Sequence, residues 1–309
     1  MTVILFLLGA VALLVLVSGV YVFFAACVRR KDLPWLVEAQ IKKTPYGLYY
    51  DGMRAADQWL REHKAEDVFV MSDDALRLHG LWIPAKDPVG TVLLTHGYRS
   101  TMLLDFCCAF EYYHDRNMNI LVPDQRCHGK SEGVYITFGV KESNDMVCWL
   151  EYIRQRVSDQ PVFLHGLSMG ATTVLYLADR ALPCDVRGII ADCGFTSAWD
   201  ILSSVYRNVT HLPPWISLWI TDLAARLFAG FSLKEKDTRK SLAASRLPVL
   251  LIHGEDDTFV PCDMTKQAYA ACSGEKNLLL VEGADHGVSF LKDQRAYVAK
   301  LSEFINSHM

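Results

Sequence analysis

The first stretch of this chain that could do chemistry is Gly166-Leu167-Ser168-Met169-Gly170. It follows the apolar run Pro161-Val162-Phe163-Leu164 and precedes Ala171 to Ala178, so a serine stands where a buried strand turns into a helix. Such a turn is sharp and places the serine in a strained backbone conformation. Positions two residues away on either side must lack bulk, which gives Gly166 and Gly170 a steric reason. A serine hydroxyl is a weak nucleophile until a base takes its proton. The usual base is a histidine oriented by a carboxylate, and after a turn of this kind the chain order is Ser, acid, His.

Four histidines follow Ser168: His211, His253, His286 and His308. His286 lies in Gly283-Ala284-Asp285-His286-Gly287, a loop just after the last apolar strand, and is the expected base. His253 ends a strand ahead of Gly254, which suits a structural turn. His211 falls in a helical insertion and His308 in the tail. The acid should follow the preceding strand, where Glu255, Asp256 and Asp257 stand in a row. Spacing alone does not choose among the three.

These groups need a scaffold, and the rest of the chain alternates strands with helices. Val68–Met71 and Leu76–Ile83 flank Ser72-Asp73-Asp74 and read as a β-hairpin. Further apolar strands are expected at Thr91–Thr95, Asn119–Pro123, Val186–Ala191, Val249–Ile252 and Leu278–Val281. Helices are expected at Tyr49–Lys64, about Met102–Arg116, Val140–Val157 and about Gln294–Asn306. Repeated strand–helix units predict an α/β fold with a mostly parallel sheet covered on both faces. Between Asp192 and Pro248 the rhythm breaks for some fifty residues. A helical cap at about 196–246 is expected there, above the strand ends. Its Trp199, Trp215, Trp219 and Phe228 are expected either to line an apolar substrate pocket or to pack the cap onto the core.

Val3 to Val28 carries no charged residue, enough to span a bilayer as a helix, and Arg29-Arg30-Lys31 follows at once. No Lys or Arg precedes it, so a secretory signal fits poorly. A lipoprotein reading, with cleavage before Cys27, also lacks the charged start. The expected organisation is a transmembrane anchor at 1–28, a juxtamembrane helical linker at 29–66 and a catalytic domain at 67–309. The positive-inside rule places that domain in the cytoplasm of a single-pass membrane protein. Trp35 and Trp59 read as packing or interface residues. The 309 residues carry a net charge of −4, which does not suggest a nucleic-acid partner. The nine cysteines read as reduced, buried small hydrophobes. With no Cys-x-x-Cys and no His-Glu-x-x-His, no metal site is expected.

Five motifs span nearly everything from Val68 onward. They are Leu94-Thr95-His96-Gly97-Tyr98, Asp124-Gln125-Arg126-Cys127-His128-Gly129-Lys130-Ser131, Gly166-Leu167-Ser168-Met169-Gly170, His253-Gly254-x-x-Asp257-x-x-Val260-Pro261 and Asp285-His286-Gly287. In these the chain resembles the α/β-hydrolase superfamily. Within it, the resemblance is to bacterial membrane-anchored serine hydrolases and the related Bem46-like and serine-aminopeptidase-like proteins. The resemblance implies an α/β-hydrolase fold, a Ser168–Asp257–His286 triad and no cofactor. It selects Asp257 over Glu255 and Asp256. It also implies that the backbone N–H groups of Tyr98 and Met169 form an oxyanion hole. Cys127 departs from the pattern, which often has Gly or Ala there. Ser at position 168, in place of the Asp of haloalkane dehalogenases and epoxide hydrolases, implies acyl transfer to water.

The expected substrate is therefore a small-molecule or lipid-like carboxylic ester or thioester. An aminopeptidase-like serine peptidase is the alternative, and it would need groups that bind a free amine. A non-catalytic membrane protein that uses the cap as an interaction surface is the third reading.

Overall fold

The structure is a computed structural model and describes residues 2–30, 42, 47, 49–157 and 159–309. The expectations for Trp35 and Lys31 lie outside the described residues.

Eight strands form one sheet in the order β1-β2-β4-β3-β5-β6-β7-β8. They are β1 (Glu66–Met71), β2 (Arg77–Ile83), β3 (Gly90–Thr95), β4 (Met118–Pro123), β5 (Val162–Leu167), β6 (Val186–Asp192), β7 (Val249–Gly254) and β8 (Lys276–Val281). The β1–β2 hairpin is antiparallel and joins β4 antiparallel. All other pairs are parallel. Apolar residues fill both faces, as a sheet covered on both sides requires. Leu93, Leu121, Leu164 and Leu251 point to one core, and Leu94, Val122, Phe163 and Ile252 to the other. This alternation is the two-residue period of the pleat.

In chain order the helices are α1 (Thr2–Cys27), α2 (Tyr50–Glu62), α3 (Met102–Phe106), α4 (Phe110–His114), α5 (Glu142–Arg156), α6 (Met169–Leu175), α7 (Ala198–Thr210), α8 (Trp215–Ala224), α9 (Thr238–Ala244), α10 (Cys262–Ala271), α11 (Ser289–Lys292) and α12 (Gln294–His308). Helices α5, α6, α9 and α10 cover the first face. Helices α2, α3, α4 and α12 cover the second. The single helix expected over Met102–Arg116 is two short helices. An i→i−3 bond from Ala109 N–H to Phe106 O interrupts the ladder. Phe106 and Phe110 are nevertheless both buried on the sheet, and their spacing of four suits a continuous or a broken helix alike.

A third apolar cluster lies above the strand ends. It joins α1 (Phe23, Cys27) to α7 and α8 (Ile201, Leu218) and to Met169, next to the serine. By length and composition α1 could cross a membrane. It is not held apart from the folded domain, however. Thr221 Oγ1 donates to Gly19 O at 2.9 Å, Ser18 Oγ meets Ser217 Oγ at 3.1 Å, and a Cβ on Gly19 would strike Ile220. All nine cysteines are free thiols, Cys108, Cys148 and Cys184 being half-buried and the rest buried.

The hairpin is tied to the loop after β4 by charge. Arg126 Nε and Nη2 each donate to Asp145 on α5 at 2.6 Å, and Nη1 donates to Asp74 at 2.9 Å. Arg126 and Asp145 side chains are 5% and 1% exposed. Arg126→Met would leave a buried carboxylate alone. A loss of about 3–5 kcal/mol is expected, measured as a lowered denaturation midpoint.

Candidate active site

Parallel strands deliver their C-terminal ends to one edge of the sheet, and the loops leaving that edge meet there. Ser168 follows β5, Asp257 follows β7 and His286 follows β8. The strand-to-helix turn puts Ser168 at φ 55° and ψ −117°, the strained conformation the motif predicts. A Cβ on Gly170 would overlap the Thr95 carbonyl oxygen, and one on Gly166 the Gly170 carbonyl. Ser168 N–H donates to Asp192 O at 2.8 Å, which ties the turn to the end of β6.

The three side chains are brought together in one line. His286 Nε2 lies 2.9 Å from Ser168 Oγ, and Nδ1 lies 2.7 Å from Asp257 Oδ2. Because the carboxylate only accepts, Nδ1 carries the proton and Nε2 is left to accept the serine hydroxyl. Glu255 and Asp256 are exposed, whereas Asp257 is buried. Its Oδ1 accepts from the N–H groups of Phe259 (2.9 Å) and Val260 (2.8 Å). Burial alone would raise the Asp257 carboxyl. Hydrogen bonds from His253 and His286 outweigh that and hold it well below its ordinary value. Asp285 joins the two loops, its Oδ1 accepting at 2.8 Å from both Thr258 N–H and His286 N–H.

His253 does more than the turn expected of it. Its ring is fully buried, and Nε2 lies 3.1 Å from Asp257 Oδ2 and 3.0 Å from Val260 O. Thr265 Oγ1, at 2.7 Å, holds the other nitrogen. Sequence spacing could have suggested this, since His253 and Asp257 flank one tight loop. Cys193 carried no such signal. Its Sγ lies within 4.8 Å of ligand atoms of Asp257 and His286, close enough for the three to meet one ion. Burial pushes this thiol well above its ordinary value, which disfavours the thiolate a metal needs. His211 is exposed, and His308 pairs with Glu275 at the opposite, N-terminal end of the strands.

The loop after β3 is braced from below. His96 Nε2 accepts Gln125 N–H at 3.0 Å, and His128 Nε2 accepts Arg99 N–H at 2.9 Å. Burial holds His96 down at about 3, so it stays neutral and free to accept. Gly97 N–H is committed to Asp105. Met169 begins α6, so its N–H has no partner within the helix. Cys127 adopts φ 66°, the left-handed region that favours glycine.

Ser168 stands between two cavities. The smaller, about 170 Å³, is of mixed character, lined by Arg99, Ser100, Asp105 and His286 together with Tyr49, Leu104 and Leu167. The larger, about 380 Å³, is almost wholly apolar and runs between α1 and α7. Tyr98, Ser168 and Phe259 line both.

The tryptophans expected in the apolar pocket do not line it. The rings of Trp199 and Trp219 lie 5.2 Å apart, with Lys234 Nζ 3.8 and 3.7 Å from their centres. Trp215 is 65% exposed on the outer face of α8. Phe228 packs on Phe23 and Phe24 of α1. Helix α8, which carries Trp215 and Trp219, is apolar on more than one face, so its composition could not tell which face turns inward. The pocket is lined instead by α7 residues such as Ile201, Leu202 and Tyr206, and by α1.

A sequence profile of the serine aminopeptidase S33 family matches residues 86–236, and one for serine hydrolases (FSH1) matches residues 224–297. The Bacillus subtilis protein YqkD is 28% identical over 234 residues, covering 74% of this chain and 75% of its own. The lysophosphatidylserine lipase ABHD12 of Danio rerio is 28% identical over 165 residues, covering 52% of this chain and 41% of its own. Among solved structures, the Pyrococcus furiosus esterase Pf2001 superposes with a TM-score of 0.66 at 21% identity, covering 81% of this chain and 95% of that one. The chain belongs to the α/β-hydrolase superfamily. Within that superfamily it is an enzyme of the serine hydrolase type.

Proposed function

We propose that the protein cleaves carboxylic ester or thioester bonds of acyl substrates through an acyl-enzyme on Ser168. The observation that carries this reading is the continuous Ser168–His286–Asp257 hydrogen-bond line. His286 Nε2 takes the Ser168 proton as Oγ attacks the acyl carbonyl carbon. The N–H groups of Tyr98 and Met169 hold the oxyanion, and each such donor is worth about 3–4 kcal/mol of barrier. Collapse expels the alcohol or thiol, which takes the proton back from His286. Water then enters and gives its proton to the same nitrogen as its oxygen bonds to the acyl carbon; the bond to Ser168 Oγ breaks, Oγ takes the proton back from His286, and the acid leaves. Asp257 keeps the imidazole in the right tautomer and stabilises its cation. None of these steps calls for a cofactor.

The two cavities suit the two halves of such a substrate. The acyl chain takes the almost wholly apolar one, and the alcohol portion takes the mixed one, beside Arg99 and Ser100. In this reading the helices at about 196–246 act as the cap. The name of the Danio rerio relative, a lysophosphatidylserine lipase, favours an ester. A peptidase would have to hold a free amine. Asp105 reaches the smaller cavity, but its oxygens are taken by Gly97 N–H and Ser100 Oγ, and burial pushes it up to about 6. The direct test is labelling by a fluorophosphonate, which an unactivated serine does not accept. Labelling confined to Ser168 is the expected result, and a chain that resists the reagent while folded would speak for the non-catalytic reading.

We also infer that α1 anchors the enzyme in a membrane with residues 29–309 on the cytoplasmic side, from the basic cluster that follows the helix. Alkaline phosphatase fused to the C-terminus of the full chain is expected to be inactive in bacterial cells. A highly active fusion would reverse the orientation.

A further inference from the structure

Helix α1 has 26 residues and so runs for about 39 Å, whereas a bilayer's hydrocarbon core is about 30 Å thick. The excess at its C-terminal end is built into the enzyme. Arg99 Nη2 donates to Ala25 O at 2.7 Å and to Val28 O at 3.1 Å, and Tyr98 O–H donates to Ala26 O at 2.8 Å. Two neighbouring residues of the loop after β3 thus satisfy the last carbonyls of α1, groups that every helix leaves open. The same loop borders Ser168, so α1 and the nucleophile are fixed to one another.

One stripe of α1 then forms a wall of the apolar cavity. Ser18, Tyr21, Val22 and Ala25 all line it, at the spacing of one helix face. Opposite them stand Ile201 and Val205 of α7. The wall side chains on α1 are mostly small, and that leaves the space. From Ala25 to Ser18 the groove extends about 10 Å along the helix. Along it Tyr21 and Val209 are 70% and 74% exposed. Val17 and Leu14 of α1, Leu223 of α8 and Leu227 just after it are exposed and apolar as well. A surface of this kind, continuous with a helix able to span a bilayer, is expected to lie against lipid. The cavity therefore opens sideways, beside the membrane helix, with the nucleophile at its inner end. Its volume is within the range of about 300–1,000 Å³ usual for ligand pockets.

We propose that this groove takes the acyl chain of a membrane-lipid ester directly from the bilayer, and that α1 sets acyl-chain specificity through Ala25 and Val22. The proposal rests on the serine hydrolase reading above. A larger side chain at position 25 would close the groove near Ser168. One at position 22 would close it about 4.5 Å further out.

The test uses the full chain in phosphatidylcholine nanodiscs, with kcat/KM measured on p-nitrophenyl acetate, octanoate and laurate. Ala25→Phe is expected to lower the laurate-to-acetate ratio at least tenfold, and Val22→Phe to lower it with a smaller effect on octanoate. Leu14→Phe, on the bare part of α1, should leave the ratio unchanged. If the ratio for Ala25→Phe and Val22→Phe stays as in the parent enzyme, whether or not both rates fall together, α1 is only a support and the proposal is wrong. Should Ala25→Phe fail to fold, Val22→Phe decides alone. Hydrolysis that survives in Ser168→Ala would overturn the hydrolase reading instead, a different outcome from an unchanged ratio.

Discussion

Ser168→Ala is expected to lower kcat on p-nitrophenyl esters by about 10⁶-fold. Without Oγ there is no acceptor for the acyl group, and His286 Nε2 loses the hydroxyl it faces at 2.9 Å. What remains is the cavity and the two amides, which act on an attacking water and leave about 10³–10⁴-fold over the uncatalysed rate. The fold should survive, because Ser168 is held by its backbone N–H to Asp192 O rather than by its side chain. Removing the hydroxyl does leave the strained φ in place, so little change in stability is expected. Steady-state kinetics and fluorophosphonate labelling read the effect together. A variant that retained even a hundredth of the parent rate would place the nucleophile elsewhere.

The second large effect is expected at the carboxylate. Asp257→Asn should lower kcat by about 10⁴-fold. An asparagine can offer an N–H to His286 Nδ1, which stabilises the tautomer with its proton on Nε2, where it faces the serine and cannot accept from it. It also removes the charge that balances the imidazolium. His253 would suffer too, since its Nε2 shares the same oxygen. The variant should show a change in acid stability as well. The Asp257 carboxyl is depressed in the folded state. Its contribution is therefore present above the unfolded value of about 3.9 and is lost as pH falls below it toward the folded value. Asp257→Asn should be less stable at neutral pH and should lose less than the parent on acidification below pH 4. Thermal midpoints measured from pH 7 down to pH 3 would check this. Parallel curves for the two proteins would mean that the carboxylate is not held ionised by its two histidines.

Much of the scaffold was legible because it depends on short-range rules. Apolar runs of five or six residues marked the strands, and glycines on both sides of Ser168 marked a turn where the structure leaves no room for a Cβ. The strand–helix alternation implied a parallel sheet, and a parallel sheet sends the loops after β5, β7 and β8 to one edge. That is why three residues separated by up to 118 positions could be named together as site candidates. The choice of Asp257 within Glu255-Asp256-Asp257 needed family resemblance. Three adjacent carboxylates look the same until burial separates one from the others.

What the sequence determined, then, is whatever follows from local pattern and chain order: the sheet, the turn that presents Ser168, the loops that carry Asp257 and His286, and the existence of a long apolar helix. The tertiary structure alone decided what faces what. An apolar face packs equally well against protein or lipid, so composition could not turn Trp215 outward or place Trp199 and Trp219 under Lys234. Nor could a helix that is apolar all round announce that its last turns dock on α8 and wall the pocket. The contacts that fix it there join Arg99 to Ala25 and Thr221 to Gly19, over 74 and 202 residues. Such pairings have no local signature, because they depend on where the completed sheet delivers its loops.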